Sequence, residues 1–154
     1  MSKKVWGTAT WYLFHTLAEK LKPEYDNPNE IKALYAQIKK ICQNLPCEDC
    51  TAHAIKTLSN VNEAYVTSSK EAFVHFLWQF HNRVNAVSGS PQYPFEETKA
   101  LYSRAATGLI IRNFINAMNI KSGDLKITMM TTMNKNAYMS SFTDYVNKNI
   151  HKFN

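Results

Sequence analysis

An all-α fold, a bundle of helices around one core, is what this sequence predicts, and three observations point to it. Glycine is scarce, with 4 in 154 residues, which favours long helices over turn-rich sheet. Apolar residues recur at a helical period through most of the chain. Capping residues stand where several of those periodic segments begin. A chain of this length is about one ordinary domain and can bury a real core, for which 8 Phe, 8 Tyr and 3 Trp supply bulk.

The elements follow in order. Residues 9–21 place Trp11, Phe14, Ala18 and Leu21 on one face of a first helix. A second has clear start signals: Asn27 as cap, Pro28 at the first helical position, and Glu30 three after the cap. Its apolar stripe reads Ile31, Leu34, Tyr35, Ile38, Ile41 and Cys42, and it stops near Leu45, because the residue before Pro46 is pushed out of helical geometry. A short third helix runs from the cysteine pair at 47 and 50 to about Ser59. The fourth opens with Ser68 and Glu71 at capping-box spacing. It carries Phe73, Phe76, Leu77, Phe80, Val84 and Val87, and Gly89 lies just past its end. A fifth segment runs from Pro94 towards Asn119, with Gly108 as the candidate for a bend. These stripes can be buried only against one another, which makes a helical bundle the economical solution. From Lys121 the texture changes to KSGDLKITMMTTMNKN, which fits a strand pair, a loop or disorder; residues 140–151 fit a last amphipathic helix through Phe142, Tyr145, Val146 and Ile150. The expected organisation is a single domain over residues 1–120 and a C-terminal extension over 121–154.

The formal net charge is +6, yet the basic residues are mostly scattered lysines, with Arg only at 83, 104 and 112. That pattern reads as a solvated lysine surface and not as a phosphate-binding patch for nucleic acid. No run of about eighteen apolar residues occurs, so no membrane-spanning helix is expected. The opening MSKKVWGTAT lacks the apolar core of a secretory signal, so the expected location is cytoplasmic.

The stretch NLPCEDCTAH, residues 44–53, raises the chemical question. With Cys42 there are three cysteines, too few for a disulfide scaffold. One reading is a zinc-binding interaction module built on Cys42, Cys47, Cys50 and His53. A helical 47–53 opposes it, because it spreads these residues along roughly 9 Å of axis, whereas ligands of one zinc lie within about 5 Å of each other; a loop at 47–50 relaxes the objection. A thioredoxin-like site is disfavoured, because the residues upstream form a helix stripe and not a buried strand. The third reading is a redox dithiol. Cys47 follows Pro46 at a helix start, where unpaired N–H groups favour a thiolate, and Cys50 lies one turn on. Glu48 and Asp49 act the other way.

A dithiol needs an electron acceptor, and FHNRVNAVSG, residues 80–89, offers a place for one. His81 and Asn85 are one helical turn apart and can grip an elongated polar ligand, with Trp78 and Val84 adding flat apolar contact. Trp11 and His15 repeat the pairing of an aromatic ring and an imidazole at i and i+4 in the first helix.

With these residues in view, the chain resembles the Erv/ALR family of FAD-linked sulfhydryl oxidases, most of all the compact forms encoded by large DNA viruses. WGTATWYLFHTLA at 6–18, LPCEDCTAH at 45–53 and HNRVN at 81–85 carry the likeness, which covers residues 5–105 or so. Tyr102 falls where the family has an aromatic that stacks on the cofactor. The resemblance implies a four-helix bundle with a short fifth helix, bound FAD and commonly a homodimer. It implies Cys50 as the flavin-proximal cysteine and Cys47 as the one that exchanges with substrate. Gly7, Trp11, His15, His53, His81, Val84, Asn85 and Tyr102 would line the FAD site. The implied activity is oxidation of a dithiol protein, a small C-x-x-C redox protein, with oxygen taking the electrons as hydrogen peroxide, in the cytoplasm of a host cell or in a virion.

Departures from the family pattern are specific. Thr8 stands where many members have Arg, and Ser90 where many have Lys, so phosphate contacts must come from elsewhere. Trp78 and Phe95 occupy the two positions of a structural disulfide found in cellular members, which suggests an aromatic contact in its place. The sequence holds no second C-x-x-C, so the relay disulfide of many members is missing.

Overall fold

The computed structural model describes residues 2–119 and 125–154, and its architecture is helical throughout. In chain order the helices are α1 (Lys3–Lys20), α2 (Pro28–Cys42), α3 (Glu48–Ser59), α4 (Glu63–Val66), α5 (Lys70–Ser88), α6 (Phe95–Ser103), α7 (Thr107–Met118) and α8 (Leu125–Asn149). Single 3-10 turns occupy Pro23–Tyr25 and Ile150–Lys152. The described residues contain no helix long and apolar enough to cross a membrane.

The α1 helix starts at Lys3, six residues before the expected start. Trp6 is buried, and the Thr10 hydroxyl donates to the Trp6 carbonyl at 2.6 Å, so the apolar stripe of Phe14 and Ala18 extends back by two turns. The second helix meets its expectation closely. Asn27 caps it by accepting the Glu30 N–H, Pro28 sits in the first turn, and all six stripe residues are buried. In α5 the cap is Ser69, whose hydroxyl accepts the Ala72 N–H at 3.1 Å; Ser68 instead donates to the Tyr65 carbonyl at the end of α4. Gly89 ends α5 with φ of 74°, the left-handed conformation that glycine adopts without a Cβ penalty. Val87, expected on the buried stripe, is 70% exposed, because the last turn of α5 runs past the core.

The fifth segment breaks into α6 and α7 at Arg104–Ala106, and Gly108 lies inside the first turn of α7. The break lets α7 turn back along α1, while α6 packs on α1 and α5. The core is contributed by Leu13, Phe14 and Leu17 of α1, the α2 stripe, Phe73, Phe76, Leu77 and Phe80 of α5, and Phe114 of α7.

Residues 125–149 are one continuous helix, where a strand pair, loop or disorder was expected before residue 140; residues 121–124 lie outside the described residues. Phe142 is completely buried, edge-on to Phe114 at 5.4 Å. The Lys40 ammonium of α2 donates to the Ser141 hydroxyl at 3.1 Å. Beyond α8 the chain pairs with the end of α1: Leu21 and Phe153 form an antiparallel bridge, and the Asn154 N–H donates to the Lys20 carbonyl at 2.8 Å. The Lys152 ammonium reaches both oxygens of Glu30 at 2.9 Å. The extension thus closes the end of the bundle opposite Gly7, which lies roughly 20 Å away along α1 at 1.5 Å per residue.

Candidate active site

α2 ends at Cys42, three residues before the expected stop, and after Pro46 Cys47 becomes the cap of α3, with φ of −157° and ψ of 114°. Its sulfur accepts the Cys50 N–H at 3.2 Å. The two residues form a disulfide with Cα atoms 5.2 Å apart, an ordinary span for such a bridge. A thiolate released here meets the unpaired N–H groups and positive dipole end of α3, which stabilise it. Glu48 and Asp49 occupy the same first turn and oppose that effect.

The zinc reading fails on this geometry. The Cys47 and Cys50 sulfurs are bonded to each other, and among the described residues no three His, Cys, Asp or Glu side chains converge on a point that could hold a metal ion. Cys42 is a free, buried thiol that burial pushes up to about 12, so it stays protonated.

Cys50 lies on the wall of a cavity of about 970 Å³ between the first turns of α1, the start of α3, the second half of α5 and α6. Gly7, Trp11, His53, His81, Val84, Asn85 and Tyr102 share that wall. One face is a stack of flat rings. The Trp11 and His81 rings are 4.1 Å apart and 7° from parallel. Gly7 adds bare backbone: a Cβ there would meet nothing within 4 Å.

His15 does not reach the cavity. It is 4% exposed and stands behind the wall, stacked on Tyr102 at 4.5 Å and bonded through Nε2 to Nδ1 of His81 at 2.9 Å. One ring donates its N–H and the other accepts. Burial, then His81, pushes His15 down to about 3, and burial pushes His81 down to about 4, so both imidazoles are neutral at pH 7. Burial, then Tyr12 and Tyr93, holds the Tyr102 phenol well above its usual range.

Trp78 also plays a part different from the expected ligand contact. Its indole N–H donates to the Tyr93 carbonyl at 2.7 Å, and its ring meets Phe95 edge-on at 5.5 Å, the aromatic contact anticipated at those two positions. The sequence reading missed Asn82 and Tyr93. Asn82 accepts the Tyr93 N–H at 3.0 Å and donates to the Tyr93 carbonyl at 2.9 Å, while the Asn85 amide donates to the Pro91 carbonyl at 3.0 Å. These bonds strap residues 91–93 across α5 and place the Tyr93 ring on the cavity wall. The two asparagines of HNRVN were the available signal.

A cavity with a flat aromatic wall at one side, bare helix backbone beside it and a disulfide sulfur at its edge suits an elongated aromatic ligand that exchanges electrons with sulfur. Comparison with known proteins agrees. The sequence profile of the Erv1/Alr family matches residues 8–103. A protein of Invertebrate iridescent virus 6 named as a candidate FAD-linked sulfhydryl oxidase is 33% identical over 95 residues, covering 58% of this chain and 85% of the relative. A similarly named protein of Invertebrate iridescent virus 3 is 30% identical over 89 residues, 58% of this chain and 60% of the relative. The FAD-linked sulfhydryl oxidase ERV1 of Arabidopsis thaliana is 30% identical over 106 residues, 68% of this chain and 53% of the relative.

Proposed function

This chain belongs to the Erv1/Alr family, and on that premise we propose that it is an FAD-dependent thiol oxidase that forms disulfides in dithiol proteins. The observation that carries the reading is the Cys47–Cys50 disulfide at the start of α3, with Cys50 on the wall of the cavity that Trp11 and His81 line. The residues present fit FAD. Trp11, His81 and Tyr102 bring aromatic rings to the cavity wall, and the open space over Gly7 admits a ligand against the helix backbone. Asn85 keeps its side-chain oxygen for a ligand, because its amide N–H is bonded to Pro91. His53 and Val84 complete the contact, and His15 supports it from behind through His81 and Tyr102.

Cys50 on the cavity wall, with Cys47 off it, supports an order for the sulfur chemistry. A substrate thiolate attacks Cys47; a bond forms to its sulfur as the Cys47–Cys50 bond breaks and Cys50 leaves as a thiolate, stabilised at the positive end of α3. The second substrate thiol attacks the mixed disulfide and releases Cys47, and the substrate departs oxidised. Two electrons and two protons then rest on the cysteine pair. FAD held by Trp11, His81, Asn85 and Tyr102 would supply a two-electron acceptor for this pair, with oxygen as the final acceptor and hydrogen peroxide as the product. Cys50 on the cavity wall is the sulfur placed to deliver them.

All three cysteines of the sequence fall within residues 42–50, and the reading takes electrons from a partner dithiol directly at Cys47. A small protein with its own C-x-x-C suits this best, because its second cysteine resolves the mixed disulfide quickly. The same reading takes residues 1–120 as the catalytic unit, with 121–154 as an extension, and a homodimer as the assembly. It sets the protein in the cytoplasm of an infected cell or in a virion, on the strength of the iridescent-virus relatives.

The test is the absorption spectrum of the purified protein, followed by oxygen uptake with dithiothreitol. A yellow protein that consumes oxygen and releases one hydrogen peroxide per dithiol is expected. A colourless protein that binds no added FAD would overturn the reading.

A further inference from the structure

Resting on that reading, we propose that Lys3 and Lys4 form the diphosphate subsite of the FAD cavity. They are the lysine or arginine residues among those lining it; the carboxylates of Asp49 and Glu97 lie on the same wall. Among the described residues neither lysine has an ion-pair partner. A dinucleotide brings two negative phosphates into this mixed field and requires positive charge near them.

The placement follows from helix geometry. Gly7 is four residues after Lys3 and three after Lys4, and Trp11 is four after Gly7, so these residues succeed one another along one side of α1. The stripe reads ammonium groups, bare backbone, flat ring over roughly 12 Å of axis. A ligand lying with its aromatic end at Trp11 and its chain over Gly7 brings its phosphates to the lysines. Thr8 and Ser90 also line the cavity but carry no charge, and the Ser90 hydroxyl is bonded to Ser88 at 3.1 Å. The cations that the family pattern leads one to expect at those two positions are thus replaced by two at the helix start.

The experiment measures dissociation constants for FAD and for riboflavin, which has no phosphate, by quenching of flavin fluorescence. It uses the wild-type protein, Lys3→Gln/Lys4→Gln and Lys3→Arg/Lys4→Arg over a range of salt. The Gln pair should bind FAD roughly tenfold more weakly at low salt, as expected for two solvent-exposed charge contacts. Its FAD affinity should depend less on salt, its riboflavin affinity should be unchanged, and the Arg pair should retain tight FAD binding. Equal FAD affinity and equal salt dependence in wild-type and Gln proteins would overturn the subsite, and so would an equal loss of riboflavin. A wild-type protein that binds no FAD would overturn the oxidase reading itself, a different result from either.

Discussion

His15 Nε2 lies 2.9 Å from His81 Nδ1, a hydrogen bond between a buried imidazole and a half-buried one that joins α1 to α5 at the cavity wall. His81 faces the cavity and stacks on Trp11; His15 does not face it. The bond holds the plane of His81 and couples its tautomer to that of His15, so His15 is a positioning residue. His81→Ala should lower flavin content per chain after dialysis more strongly than His75→Ala, since His75 packs on Trp78 and Phe95 away from the cavity. His15→Ala should fall between them, and His15→Asn, which keeps a polar tip, should recover part of the loss. Equal retention in the His81 and His75 variants would refute this placement.

The same pair predicts an acid limit to stability. Their folded pKa values, about 3 and about 4, lie below the ordinary 6.5. Below pH 6.5 the unfolded chain therefore takes up protons that the folded chain refuses, and stability falls as pH drops from 6.5 towards 4. Each pKa unit is worth about 1.4 kcal/mol, so the combined loss is of the order of several kcal/mol. Urea unfolding of the cofactor-free protein at pH 7 and pH 4.5 measures it. A His15→Asn/His81→Asn protein should show a flatter profile, and an identical slope would contradict the assignment.

The cysteines should separate cleanly. Cys50→Ser should retain FAD and lose oxygen uptake, because Cys42, the other sulfur on the cavity wall, is a buried, protonated thiol outside the disulfide. Cys47→Ser should lose turnover with any dithiol, because the disulfide cannot form. Cys42→Ala should stay largely active, since that thiol is buried and protonated. Full dithiothreitol oxidation by the Cys47→Ser protein would sink the mechanism.

At Gly7 stability and binding should move in opposite directions. A Cβ added there touches nothing within 4 Å of the protein, so Gly7→Ala relieves the helical cost of glycine and should stabilise the cofactor-free chain by about 0.5–1 kcal/mol. The methyl projects into the cavity and should weaken FAD binding. If FAD affinity rose together with stability, Gly7 would not lie against the ligand.

The extension should matter to folding and not to the sulfur chemistry. Phe142→Ala removes a fully buried ring packed on Phe114 and should cost about 3–5 kcal/mol, read as a lower melting temperature. Below that temperature its rate with dithiothreitol should match wild type. A chain ending near residue 120 should keep that rate only while it remains folded, because it leaves Phe114 and Leu21 without Phe142 and Phe153. Loss of dithiothreitol oxidation by a folded, FAD-loaded truncated chain would place the extension in the active site.

By itself the sequence determined the helical class, α2 with its cap and buried stripe, and the helix start at Cys47 and Cys50. These are local properties. Periodicity records which side of a helix avoids water, and capping depends on a few adjacent residues. Tertiary structure decided what those sides meet. His15 and His81 share the spacing of ligand contacts, yet only the packing of α1 on α5 and α6 puts one in the cavity and the other behind it. Trp78 looked like a ligand contact until Tyr93 crossed α5 and took its N–H. The break at Arg104–Ala106 follows from α7 turning back along α1, since two alanines carry no stop signal of their own. The helix from Leu125 packs through Phe142 against α7, a contact between residues far apart in the chain, and no local pattern in KITMMTTMNKN announces it.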